Sequence, residues 1–93
     1  MQAAVRQEQQ RIAQAEAELN QNLLKKLKEL RLKLARQLGV PAFVIFTDAT
    51  LRAMCVAMPQ NETEFLQVSG VGKKKWEQYG QQFLLVLQEW RNM

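Results

Sequence analysis

Pro41-Ala42-Phe43-Val44-Ile45-Phe46 is the stretch on which the fold class turns. Its β-branched and aromatic residues suit a strand. A strand needs a neighbour to take its backbone hydrogen bonds, and neither flank supplies a second one. The segment therefore reads as an extended or short 3₁₀ piece laid across helices, and the chain as all-α. On one side Gly39 offers a helix stop and Pro41 forbids continuation. On the other, Thr47 or Asp48 can cap a new helix.

Upstream, Leu23, Leu27, Leu30, Leu34 and Leu38 recur at helical spacing and fall within one face. Lys25, Leu32 and Arg36 lie opposite, with Lys28 at the border, and Lys26 and Lys33 form a second basic strip. Arg31 stands beside the leucine stripe, where a charge needs a partner, and Asp48 is the partner expected. Downstream, Leu51, Met54, Cys55 and Met58 line the face of a helix that ends before Pro59. Asn61 and Glu64 have capping-box spacing ahead of Phe65, Leu66 and Val68. A helix is expected from about Val71 to Tyr79, a break at Gly80, and a last helix from about Gln81 to Arg91 presenting Phe83, Leu84, Leu87 and Trp90. The expectation is a bundle of five short helices over 23–93 behind a polar leader, 1–22. In the leader Val5, Ile12 and Leu19 recur every seventh residue among Gln, Ala and Glu, too polar a stripe for a stable coiled coil. It reads as a linker or a helical run-in, and as the place where a longer protein was cut.

A chain of 93 residues holds one small core and no second lobe. With one cysteine and no histidine, an internal disulfide, a thiolate zinc cluster and an imidazole base are all excluded. Gly70-Val71-Gly72-Lys73 lacks the spacing of a nucleotide-binding P-loop. The carboxylates are scattered; Glu62 and Glu64 read as helix N-terminal charges, and Cys55 as a buried thiol. No catalytic residue, metal or cofactor is expected, and the chain by itself reads as a non-enzyme. No apolar run approaches the roughly 20 residues of a membrane span, and no secretory h-region opens the chain, so a cytoplasmic location is expected.

Charge is placed unevenly. The leader has two arginines against three glutamates, a net of −1, whereas 23–93 carry eleven Lys/Arg against six Asp/Glu, a net of +5. A basic domain favours an anionic partner. Val68-Ser69-Gly70-Val71-Gly72-Lys73-Lys74-Lys75 concentrates that chemistry. Glycines let the backbone approach closely, a helix start offers free N–H groups, and the ammonium groups attract a polyanion. The same residues also suit a tight turn with a solvated lysine cluster.

Taken in order, Leu27-x-x-Leu30-Arg31-x-x-x-Ala35, Pro41-x-Phe43-Val44-Ile45-Phe46-x-Asp48-x-x-Leu51, Met58-Pro59, Glu64-x-Leu66-x-x-x-Gly70-Val71-Gly72-x-x-Lys75 and Tyr79-Gly80-x-x-Phe83 resemble the HRDC domain, the helicase-and-RNase-D C-terminal module. The resemblance covers Leu24 to about Trp90 and is greatest to the version in bacterial RecQ-type helicases. It implies an all-helical auxiliary module that tethers a helicase or exonuclease to nucleic acid, with the motor elsewhere in the parent.

The resemblance also implies a site. An exposed aromatic in the Pro-x-aromatic segment, with basic neighbours, helps bind single-stranded DNA in RecQ versions, and Phe43 matches it. Phe43 stands outward for base stacking or inward as core. Lys73 and Lys74 are the expected phosphate contacts, with Lys25, Lys28, Lys33 and Arg36 as further candidates, while Arg31, Asp48, Gly70 and Gly72 are expected to be structural and Lys75 to touch the fold. The expected partner of a monomeric domain is single-stranded or branched DNA. The rival readings are docking on the parent helicase core or a repair protein, and the equivalent RNA-binding domain of an RNase D-type exonuclease.

Overall fold

Leucine spacing alone makes the first helix amphipathic, and the rest of the chain closes over its apolar face. A computed structural model describes residues 21–93. The leader and its heptad stripe lie outside the described residues, save that Gln21 and Asn22 are already helical. Helix α1 runs over 21–38. It ends on Gly39 at φ +67°, and Val40 donates its N–H back to the Ala35 carbonyl at 3.0 Å. That six-to-one bond is a Schellman stop. Leu23, Leu27, Leu34 and Ala35 are buried, and Leu30 is half-buried. Leu38, expected in the stripe, is 54% exposed, because the core ends one turn earlier where the chain leaves the helix.

The stretch from Pro41 to Phe46 is not a strand, and in place of the extended or short 3₁₀ piece expected, its middle winds into an α-helical turn between two extended residues. Ala42–Ile45 form one α-helical turn, α2, whose first bond runs from Val44 N–H to the Pro41 carbonyl at 3.0 Å. The proline presets φ at −62° and needs no donor there. Phe46 is extended (φ −148°, ψ 145°) and leads into α3, Asp48–Ala57. Thr47 caps α3 through its Oγ1, which accepts from the Thr50 N–H at 3.2 Å; Asp48 occupies the first turn. Helix α3 buries Thr50, Leu51, Met54 and Cys55. It stops on Met58, whose φ of 47° is a left-handed conformation for a residue with a side chain; Pro59 then bars continuation and is itself buried.

Helix α4, Glu62–Leu66, opens with Asn61 Oδ1 accepting from the Glu64 N–H at 2.9 Å. Glu64 reaches back to the N–H of Gln60 rather than of Asn61, at 2.9 Å, a capping box displaced by one residue. The chain then turns through Gly70 into one continuous helix, α5, built from Lys73–Lys75, a π-wound turn Trp76–Gly80, and Gln81–Arg91. The expected break at Gly80 does not occur: Gly80 is helical at φ −55°, ψ −41°. Its missing side chain makes room for Trp76, since a Cβ there would run into the indole ring. Five helices result among the described residues, with no strand, and the two helices expected around Gly80 are one.

Phe46 is the centre of the core. Its ring stands edge-on to Phe83 at 5.0 Å and to Tyr79 at 6.3 Å, and tilts against Phe65 at 6.4 Å; Phe65 meets Trp76 at 5.2 Å. Edge-to-face pairs of this kind add about 0.5–1.5 kcal/mol each beyond area burial. Tyr79 and Lys75 are half-buried at the margin of the cluster.

The two turn glycines differ in what they tolerate. Gly70 sits at φ +89°, and a Cβ there would overlap Thr50 Oγ1, whereas a Cβ on Gly72, at φ −94°, meets nothing. We expect Gly70→Ala to cost about 2 kcal/mol or more in urea unfolding, combining left-handed strain with overpacking. Gly72→Ala is expected to stay within about 0.5 kcal/mol of wild type. Equal losses at both positions would contradict this account of the turn.

Candidate nucleic-acid interface

Arg31 ties α1 to the corner between α2 and α3. Projecting from α1, its Nη1 donates to the Phe46 carbonyl at 2.9 Å and its Nη2 lies 2.7 Å from Asp48 Oδ1. The guanidinium side chain is 12% exposed, the Asp48 carboxylate 51%. The hydrogen bond and charge of Arg31 hold the Asp48 carboxyl below its ordinary value of 3.8, and the charges of Lys28 and Arg52 act in the same direction. Lys28 lies one turn before Arg31 on α1, and Arg52 one turn after Asp48 on α3.

Around this clasp the chain gathers two further segments. The side chain of Lys75 places its Nζ 5.9 Å from the centroid of Phe46. Gly70 is seated against Thr50, which ties the glycine turn to the first turn of α3. Phe43 is 66% exposed, so of the two orientations open to it the structure takes the outward one. The neighbouring Val44 is also exposed, and only Ile45 of α2 is buried. A four-residue turn cannot bury every side it presents.

The remaining candidates divide. Lys73 and Lys74 are exposed at the start of α5, where Gly72 gives no side-chain cap. Lys25 and Arg36 are exposed along α1, on the side that carries Lys28. Lys33 belongs to a different surface. With Lys26 it lines a groove between α1 and α5, beside Glu29, Glu89 and Trp90, where Lys26 Nζ lies 5.5 Å from the Trp90 ring. Of the two basic strips on α1, the one bearing Lys28 adjoins the α2–α3 corner. Arg52 was not among the candidates read from sequence. Its signal was the i, i+4 spacing from Asp48, which puts both on one side of α3.

No group of three His, Cys, Asp or Glu that could hold a metal occurs among the described residues. Burial pushes the Cys55 thiol above its ordinary range, which makes it a poor nucleophile. No described helix is long and apolar enough to cross a membrane.

The HRDC domain pattern matches residues 20–91, nearly the whole described chain. The chain belongs to the HRDC family. It is 38% identical over 76 residues to the ATP-dependent DNA helicase RecQ of Haemophilus influenzae, a match covering 82% of this chain and 12% of that protein. It is 40% identical over 68 residues to the ATP-dependent DNA helicase UvrD2 of Mycobacterium tuberculosis, covering 73% of this chain and 10% of the helicase. Among solved structures it matches D. radiodurans RecQ HRDC domain 3 with a TM-score of 0.72 at 38% identity, over 75% of this chain and 92% of that one. This HRDC domain therefore corresponds to a small auxiliary part of its helicase relatives, and its described residues share the fold of the D. radiodurans domain.

The sign of the Asp48 shift fixes a pH dependence. A carboxyl with a lowered pKa in the folded state adds stability above its unfolded value and loses it as pH falls through the folded one. Asp48→Asn should therefore be less stable than wild type near about pH 7, and the gap should narrow near about pH 3. A gap of equal size at both pH values in urea titrations would remove charge from the account of this clasp.

Proposed function

We propose that this HRDC domain is an auxiliary nucleic-acid-binding module of an ATP-dependent DNA helicase of the RecQ type, acting in DNA repair and recombination at the nucleoid. In this reading it binds single-stranded or branched DNA weakly and without sequence preference. The observation that carries the proposal is the exposure of Phe43 on α2, the turn that leads into the Asp48 corner on which the charges of Lys28 and Arg52 act. An aromatic face in water next to cations is the arrangement that single-strand binders use, because every base has a π-face and every nucleotide a phosphate. Lys73 and Lys74, across the glycine turn seated on Thr50, extend the basic surface. Gly72 fits the same picture: the fold leaves it room for a side chain, so a close approach by a ligand backbone would account for the glycine. DNA is favoured over RNA by the relatives, whose names describe DNA helicases.

Docking on the parent helicase core or a repair protein is the second reading. Leu38, Phe43 and Val44 are all exposed on and beside α2, an apolar cluster that a protein partner would also cover. Salt separates the two readings, since apolar contact persists where phosphate contact fades.

The test is a fluorescence-anisotropy titration with a labelled single-stranded oligonucleotide at several salt concentrations. Three or four phosphate contacts predict a slope of log K against log salt of roughly −2 to −3. Phe43→Ala should lose roughly 1–3 kcal/mol of binding. Lys73→Glu with Lys74→Glu should weaken all sequences alike. Affinity indifferent to salt, or loss confined to some sequences, would sink the proposal in favour of docking.

A further inference from the structure

The α2–α3 corner carries one acid in the midst of its cations. Asp48 Oδ1 is engaged by Arg31 at 2.7 Å, yet half of the side chain remains open to solvent. Arg52 follows it by four residues on the same helix, and Lys28 precedes Arg31 by three on α1, so both project toward the surface that Asp48 occupies. Arg31 is committed to the fold, because both of its terminal nitrogens have partners. The cations left for an incoming anion are Lys28 and Arg52, and the charge of each acts on the Asp48 carboxylate beside that of Arg31. A phosphodiester oxygen and a carboxylate oxygen seek the same donors. A strand that put a phosphate between Lys28 and Arg52 would thus meet the fixed negative charge of Asp48 there.

We infer that Asp48 throttles this face: besides clasping Arg31, its carboxylate competes with the phosphodiester backbone for Lys28 and Arg52 and holds the affinity down. The inference rests on the nucleic-acid reading above and adds the residue that sets its strength. It also separates two roles of one side chain. The clasp needs an oxygen acceptor facing Arg31, whereas the throttle needs the negative charge. Asparagine keeps the first and removes the second.

The experiment compares wild type and Asp48→Asn in the same anisotropy titration, with near-ultraviolet circular dichroism to confirm that each is folded. Asp48→Ser, which also suits the start of a helix, is the second variant should asparagine fail to fold. Removing one charge within about 6 Å of a bound phosphate in a watery setting should tighten binding roughly threefold at low salt, and the gain should shrink as salt rises. One additional cation free to meet phosphate steepens the salt slope by about 0.7. Adding Arg52→Gln to Asp48→Asn should return binding to about the wild-type level. A folded neutral variant that binds no tighter than wild type overturns the throttle while leaving DNA binding in place. Failure of both proteins to bind at low salt overturns the nucleic-acid reading as well.

Discussion

One guanidinium group joins the three parts of this domain that local structure leaves unconnected. The fork of Arg31 reaches from α1 to the carbonyl of an extended residue and to the carboxylate that opens α3. A lysine there would present a single point charge, and no planar pair of donors would fix Phe46 and Asp48 at once. The arrangement carries the desolvation cost of any nearly buried charge. Leaving Asp48 half exposed moderates it, since the carboxylate keeps part of its hydration. Without the clasp, the part-buried Phe46 carbonyl would lose the donor that Arg31 supplies.

The clasp also decides which aromatic faces where. Held extended, Phe46 turns its ring onto Phe83, Tyr79 and Phe65 and becomes the residue around which α4 and α5 pack. Phe43, one short turn earlier, is left on the other side of the chain in solvent. Helix α5 adapts in turn: its π-wound turn brings Trp76 and Tyr79 to the cluster, and Gly80 vacates the space that the indole ring fills. Core and exposed face are thus consequences of the same few residues between Pro41 and Asp48.

Much of this was legible in the sequence, and the exceptions share a cause. The leucine period gave α1 its inward face, the caps at Thr47 or Asp48 and at Asn61 marked helix starts, and Arg31 beside an apolar stripe pointed to Asp48. A helical wheel has no ends, which is why Leu38 looked buried. Propensity reads Gly80 as a breaker, but tertiary contact with Trp76 overrides it. The apolar run at α2 resembled an extended segment because its composition is β-like, whereas Pro41 and the need to turn a corner wind it into a helix. The orientation of Phe43 and the neighbour of each basic strip depend on how helices pack, and no single-helix pattern contains that. Arg52 was overlooked because one arginine on a mostly apolar helix carries no signal until Asp48 is placed.

A surface in which cations are partly cancelled by their own acid suits a tethered module better than a free one. The matched region is 12% of the RecQ helicase of Haemophilus influenzae, so in that relative the corresponding segment is a small part of a larger protein. For an attached domain, affinity adds to that of its neighbours through effective concentration, and a modest contribution already changes overall binding. Strong intrinsic binding would hold a translocating protein in place. A net charge of +4 over the whole chain favours long-range attraction of a polyanion, and in the inference above Asp48 limits how much of it becomes contact. On the proposed reading, attraction at a distance and release on contact are compatible, because different residues would set them: the lysines spread over the surface the approach, and the clasped carboxylate the hold.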